Sequence, residues 1–67
     1  MIQVKLQNIL DEKERNLNWL SKKTDISYST LHKLANNNTT SINFNTLEKI
    51  CTVLNCSISD ILEIKKD

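Results

Sequence analysis

Tyr28, Ser29, His32 and Lys33 are the residues whose types and spacing come nearest to a chemical device in this sequence. On a helix their separations put them on one strip, because residues three and four apart lie on the same face. Each carries a hydrogen-bonding group: two hydroxyls, an imidazole and an ammonium. Lys33 and Ser29 are types that can address base edges in the major groove of DNA, and Tyr28 and His32 can serve a base or a phosphate. The same residues would equally suit a plain solvated helix face. Spacing alone leaves both readings open.

Catalysis and metal binding have less to stand on. His32 is the only histidine, it falls on the exposed strip, and so small a chain leaves little room for a pocket. Cys51 and Cys56 stand five apart on a helix and its end, and no second pair of zinc ligands exists. Cys51 shares the inward face of its segment with Leu47, Ile50 and Leu54, where a free cysteine acts as a small apolar residue. The expectation is therefore no enzyme, no metal and no cofactor.

Composition narrows the class further. The chain has 67 residues, which allows one domain over 1–67. It contains no Gly and no Pro, so glycine-rich phosphate loops and dinucleotide fingerprints are absent. Two-residue hairpins lose their preferred glycine, which favours helices. Nine Asn residues are then expected to supply most left-handed helix ends, a conformation Asn tolerates better than most. No segment approaches the roughly 20 apolar residues of a membrane span. Nothing at the amino end has the form of a signal peptide, which points to a cytoplasmic chain with reduced thiols. Net charge is +1, but residues 15–49 hold five cations against two acids, a local excess of +3. The basic middle is where an anion-binding surface would lie.

Five segments show helical spacing. Ile2, Leu6, Ile9 and Leu10 mark the first. Asn16 can cap a short second helix burying Leu17, Leu20, Ser21 and Thr24, and Ser27 can cap a third burying Leu31, Leu34 and Ala35. Asn36 to Ser41 contain no apolar residue and form a loop. Asn45 with Glu48 resembles a capping box opening a fourth helix, ended by Asn55. Ser57 can cap a last helix carrying Ile58, Ile61 and Leu62. Only Asp25, Ile26 and Ser27 separate the second and third helices, and the middle residue is apolar. So short a turn, with its central side chain inward, makes a helix-turn-helix.

The segment LSKKTDISYSTLHKL, Leu20 to Leu34, resembles the helix-turn-helix of the Cro/repressor-type family (the Xre class). Thr39 to Cys56 and the SDIL that starts at Ser59 extend the resemblance over nearly the whole chain, toward small stand-alone regulators of low-GC bacteria and their phages. It implies an all-α, five-helix, lambda-repressor-like domain that binds double-stranded DNA with the helix after Ser27. Tyr28, Ser29 and Lys33 match positions that commonly contact bases in the family. This chain has Asp25 where the family usually has Gly, and Leu17 where it often has a backbone-contacting Gln. Its post-helix loop is uncharged where the family's is commonly rich in Gly and Lys.

Phosphate contacts are accordingly expected from neutral groups as well as cations. Asn16 and Asn18 stand at the amino end of the second helix, where free amides attract anions. Lys22 and Lys23 lie on its flank, Thr30 is in the first turn of the third helix, and Asn37, Asn38, Thr39 and Thr40 follow that helix. Trp19 is out of phase with its neighbours and is expected to lie near Arg15. The function expected is transcriptional regulation, as a repressor. The rival is a protein-interaction module on the same scaffold, antitoxin-like or anti-repressor, with weak DNA binding. Ile58, Ile61 and Ile64 of the last helix are the expected contacts of a homodimer, whose small interface would assemble on DNA.

Overall fold

The computed structural model describes residues 1–66 and contains five helices and a two-stranded sheet. The elements run β1 (Ile2–Val4), α1 (Leu6–Glu12), α2 (Leu17–Thr24), α3 (Tyr28–Ala35), α4 (Phe44–Leu54), α5 (Ile58–Ile61) and β2 (Leu62–Ile64). The helical expectation therefore holds for most of the chain, and the sheet corrects the all-α assignment. Strands β1 and β2 are antiparallel, with Ile2 opposite Ile64, Gln3 opposite Glu63 and Val4 opposite Leu62.

Physical reasons for the correction lie at both ends of the chain. Ile2 continues the helical spacing of Leu6 and Ile9 by coincidence, yet its segment pairs with one more than fifty residues away. Lys5 donates its N–H to the Ile61 carbonyl at 2.6 Å, and the amino terminus and Lys65 exchange bonds at 2.8–2.9 Å. These bonds satisfy backbone groups that a helix starting at Ile2 would have used locally. The last helix accordingly stops at Ile61, and Leu62 and Ile64 belong to the strand.

The core is built from one to three residues of each helix. Leu6, Leu10, Leu20, Leu31, Ile50 and Ile61 have no exposed surface, and Leu17, Leu34, Leu47 and Leu54 are nearly as buried. Ile61 is thus a core residue, so its place in a dimer contact is corrected: burial within one chain leaves its side chain nothing to offer a second.

Caps fix where the helices begin. Asn16 accepts the Trp19 N–H at 2.8 Å and Ser27 accepts the Thr30 N–H at 3.3 Å, each satisfying a free amide of a first turn. At α4 the cap is Asn43, which accepts the Asn45 N–H at 2.7 Å, so the helix starts earlier than the Asn45–Glu48 pattern suggested. At α5, Asp60 accepts both the N–H and the hydroxyl of Ser57. Those two bonds, backbone first, hold its carboxyl below the ordinary carboxylate value.

Candidate nucleic-acid interface

The turn between α2 and α3 is braced from inside. Buried Thr24 donates its hydroxyl to the Leu20 carbonyl at 2.7 Å and accepts the Ile26 N–H at 3.3 Å. Ser21 donates to the Ile26 carbonyl at 2.5 Å. Half-buried Ile26 packs against the core between them. Asp25 takes the left-handed conformation, φ 60° and ψ 25°, which Asp can adopt at some cost in strain. The turn's backbone groups are therefore satisfied by side chains of α2 itself, which sets the angle at which α3 leaves.

Leu31 and Leu34 face the core, which fixes the rotation of α3 and turns Tyr28, Ser29, His32 and Lys33 outward. These four bound one shallow depression on the surface. The Tyr28 and His32 rings stack with centroids 5.9 Å apart and planes 28° from parallel. Stacking restricts two side chains before any ligand arrives, which lowers the ordering cost of binding. The strip is a polar surface with one cation and no acid.

The expected phosphate contacts divide into two groups. Asn18, Asn38 and Thr40 are exposed, and Thr39 is half-buried. Asn16, Thr30 and Asn37 already work inside the fold. Asn16 caps α2 through its carbonyl oxygen, the Thr30 hydroxyl bonds the Ser27 hydroxyl at 2.8 Å, and Asn37 Oδ1 accepts the Val4 N–H at 2.8 Å. The amide nitrogens of Asn16 and Asn37 have no bond among the described residues, so a phosphate oxygen could still be met there. Lys22 and Lys23 are exposed in the last turn of α2, at the opposite end from Asn16 and Asn18. Lys23 borders a groove with Asn45, Glu48 and Lys49 of α4, away from the α3 strip.

Sequence reasoning missed Asn43 and Thr46. They line a second groove together with Thr30, which places the amino end of α4 beside the first turn of α3. An Asn directly before an aromatic residue was the available signal, masked by the better-known pattern two residues later.

Among the described residues the one ion pair is Lys5–Glu63, at 3.4 Å. Arg15 lies over the Trp19 ring at 4.8 Å, so Trp19 is half-buried near Arg15 as its position implied. Cys51 and Cys56 are free and half-buried. Burial pushes the Cys56 thiol up from its ordinary value, and Cys51 adds to the effect, which disfavours the thiolate that metals and electrophiles need.

A sequence model of the family described as Cro/C1-type HTH DNA-binding domain matches residues 5–67. Comparison with curated proteins finds no match.

Proposed function

Because the chain belongs to the Cro/C1-type helix-turn-helix DNA-binding family, we propose that it is a sequence-specific transcriptional regulator, acting as a repressor, that inserts α3 into the major groove. The observation that carries this reading is the orientation of α3. Its two leucines are buried while Tyr28, Ser29, His32 and Lys33 share one exposed face. A helix held in this way presents base-reading groups on its outer, amino-terminal side. Lys33 serves as a donor to guanine and Ser29 as a short-range donor or acceptor. Asn18, Asn38, Thr39 and Thr40, with Lys22, supply neutral and charged contacts to the backbone, which set register and carry no sequence information. The protein acts by occupying its site and performs no catalysis.

One α3 covers only a few base pairs, too few to mark a site in a genome. Two copies related by a two-fold axis double the contacts and place the recognition helices about 34 Å apart.

Selection from a randomised DNA pool tests the reading. The wild-type chain should enrich a two-fold symmetric site. Replacing Lys33 or Ser29 by Ala should flatten preference at particular positions, at about 1–3 kcal/mol each. Replacing Lys22 should weaken all sequences alike. Failure of the wild-type chain to enrich any sequence would overturn the proposal and favour the protein-interaction module.

A further inference from the structure

Cys51 and Cys56 are the chain's only cysteines, and the end of α4 brings them together. Asn55 takes the left-handed conformation, φ 52° and ψ 51°, and turns the chain back over the helix. Two backbone bonds close that turn. The Cys56 N–H donates to the Cys51 carbonyl at 3.0 Å, and the Asn55 N–H donates to the Thr52 carbonyl at 3.3 Å. This pair of bonds is the Schellman ending of a helix, which sets the side chain after the left-handed residue against one in the last turn. That contact is commonly between two apolar side chains, and here both carry a thiol.

We propose that Cys51 and Cys56 form a dithiol site that hydrogen peroxide oxidises to a disulfide within one chain, tying the end of α4 to the start of α5. The site is separate from the surface proposed to read DNA, since neither cysteine borders the α3 strip.

Distance permits the bond without moving the backbone. The Cys51 Cα lies about 2.4 Å from its carbonyl oxygen, and the Cys56 Cα about 1.5 Å from its nitrogen. With the 3.0 Å hydrogen bond between them, the two Cα atoms are at most about 7 Å apart, and bends at oxygen and nitrogen shorten that. Disulfides span Cα separations of about 4.4–6.8 Å. Both cysteines are half-buried, so a small oxidant can reach them. The bond would brace α5, a single turn whose cap, Ser57, directly follows Cys56.

The chemistry balances with one peroxide. A thiolate attacks a peroxide oxygen, the O–O bond breaks, and a sulfenic acid forms with release of hydroxide. The second sulfur attacks the sulfenic sulfur, so an S–S bond forms, the S–O bond breaks and a second hydroxide leaves. Each hydroxide takes up the proton that a thiol gave up. Two thiols have lost two electrons and two hydrogens, and the peroxide has become two waters. Burial, then Cys51 and Asp60, push the Cys56 thiol up, while Lys13 opposes them, so the bond forms slowly at neutral pH. A thiol that ionises poorly also leaves poorly, so reduction is slow in turn.

Oxidation of the full chain with hydrogen peroxide, followed by iodoacetamide to block remaining thiols, tests this. Intact-mass spectrometry should show an unalkylated monomer lighter by two hydrogen atoms, and dithiothreitol should restore both thiols. Cys51→Ser and Cys56→Ser should each add oxygen or link to a second chain, having no neighbour with which to close a ring. Equilibration with reduced and oxidised glutathione then compares the folded chain with the chain in urea. The disulfide should be favoured about tenfold or more in the folded chain, because the fold already holds the pair together. Oxygen added to the wild-type chain with no loss of hydrogen would overturn the proposal, as would links between chains as the main product. An equilibrium no more favourable in the folded chain than in urea would overturn it too, since the fold would then not favour the bond.

Discussion

Glu14, Asp25, Asn37 and Asn55 all hold a left-handed backbone, with φ between 52° and 60°. Each stands just past the end of a helix, where glycine is the usual solution and this chain has none. The composition pointed to asparagine for this duty, and asparagine fills half of the positions; carboxylate residues fill the others. Asp25 is the instructive case because it lies inside the helix-turn-helix. Strain of about 1–3 kcal/mol attaches to a non-glycine residue in this region, offset in a glycine variant by about 0.5–1 kcal/mol of extra chain entropy. Asp25→Gly should therefore stabilise the fold by up to about 2 kcal/mol, read as a higher urea midpoint. Base preference should stay as it was, since Asp25 serves the turn. A variant no more stable than wild type would mean that strain at this residue is no larger than the chain entropy glycine adds. Asn37 could not be assigned its role from sequence, because the N–H it accepts belongs to Val4, 33 positions away.

At the scale of elements, local signals were legible and distant ones were not. The helices α2, α3 and α4 follow from the spacing of their buried leucines and isoleucines, and the rotation of α3 follows from Leu31 and Leu34 alone. The exposed strip of Tyr28, Ser29, His32 and Lys33 was accordingly visible in the sequence. The strands were hidden because Ile2, Ile58, Ile61 and Leu62 also satisfy helical spacing, and nothing local announces that Ile2 will find Ile64. Helix α5 shows what sets the boundary: one turn, opened by the Ser57–Asp60 exchange and ended where β2 begins. The depressed pKa of Asp60 makes that turn sensitive to acid. An acid whose folded pKa lies below its unfolded one adds stability above the unfolded pKa, and loses it as pH falls through the folded one. Melts between about pH 5 and pH 2 should therefore show wild-type stability falling, and Asp60→Asn should make the fall shallower. Parallel curves would show that Asp60 gains nothing from Ser57.

The whole molecule measures 35 × 22 × 18 Å and carries few charges to hold a polyanion. Each phosphate neutralised by Lys or Arg steepens the decline of log affinity with log salt by about 0.9. With Arg15, Lys22, Lys23, Lys33 and Lys49 as the cations of the basic middle, about three or four phosphates per copy can be met by charge. A pair on DNA should show a slope of roughly −5 to −7. A slope near −12, or none, would contradict that count. The ribbon of β1 and β2 has a consequence in time rather than in space. On the ribosome β1 emerges before all five helices and its partner after them, so Ile2 and Val4 wait, unpaired, while α1 to α5 are made. Joining distant segments costs loop-closure entropy that grows only slowly with separation, about 0.6 kcal/mol per doubling. The delay is thus one of order and not of energy. The helices can gather their leucines while the chain is still growing, and the ribbon closes over them only when residue 64 is free.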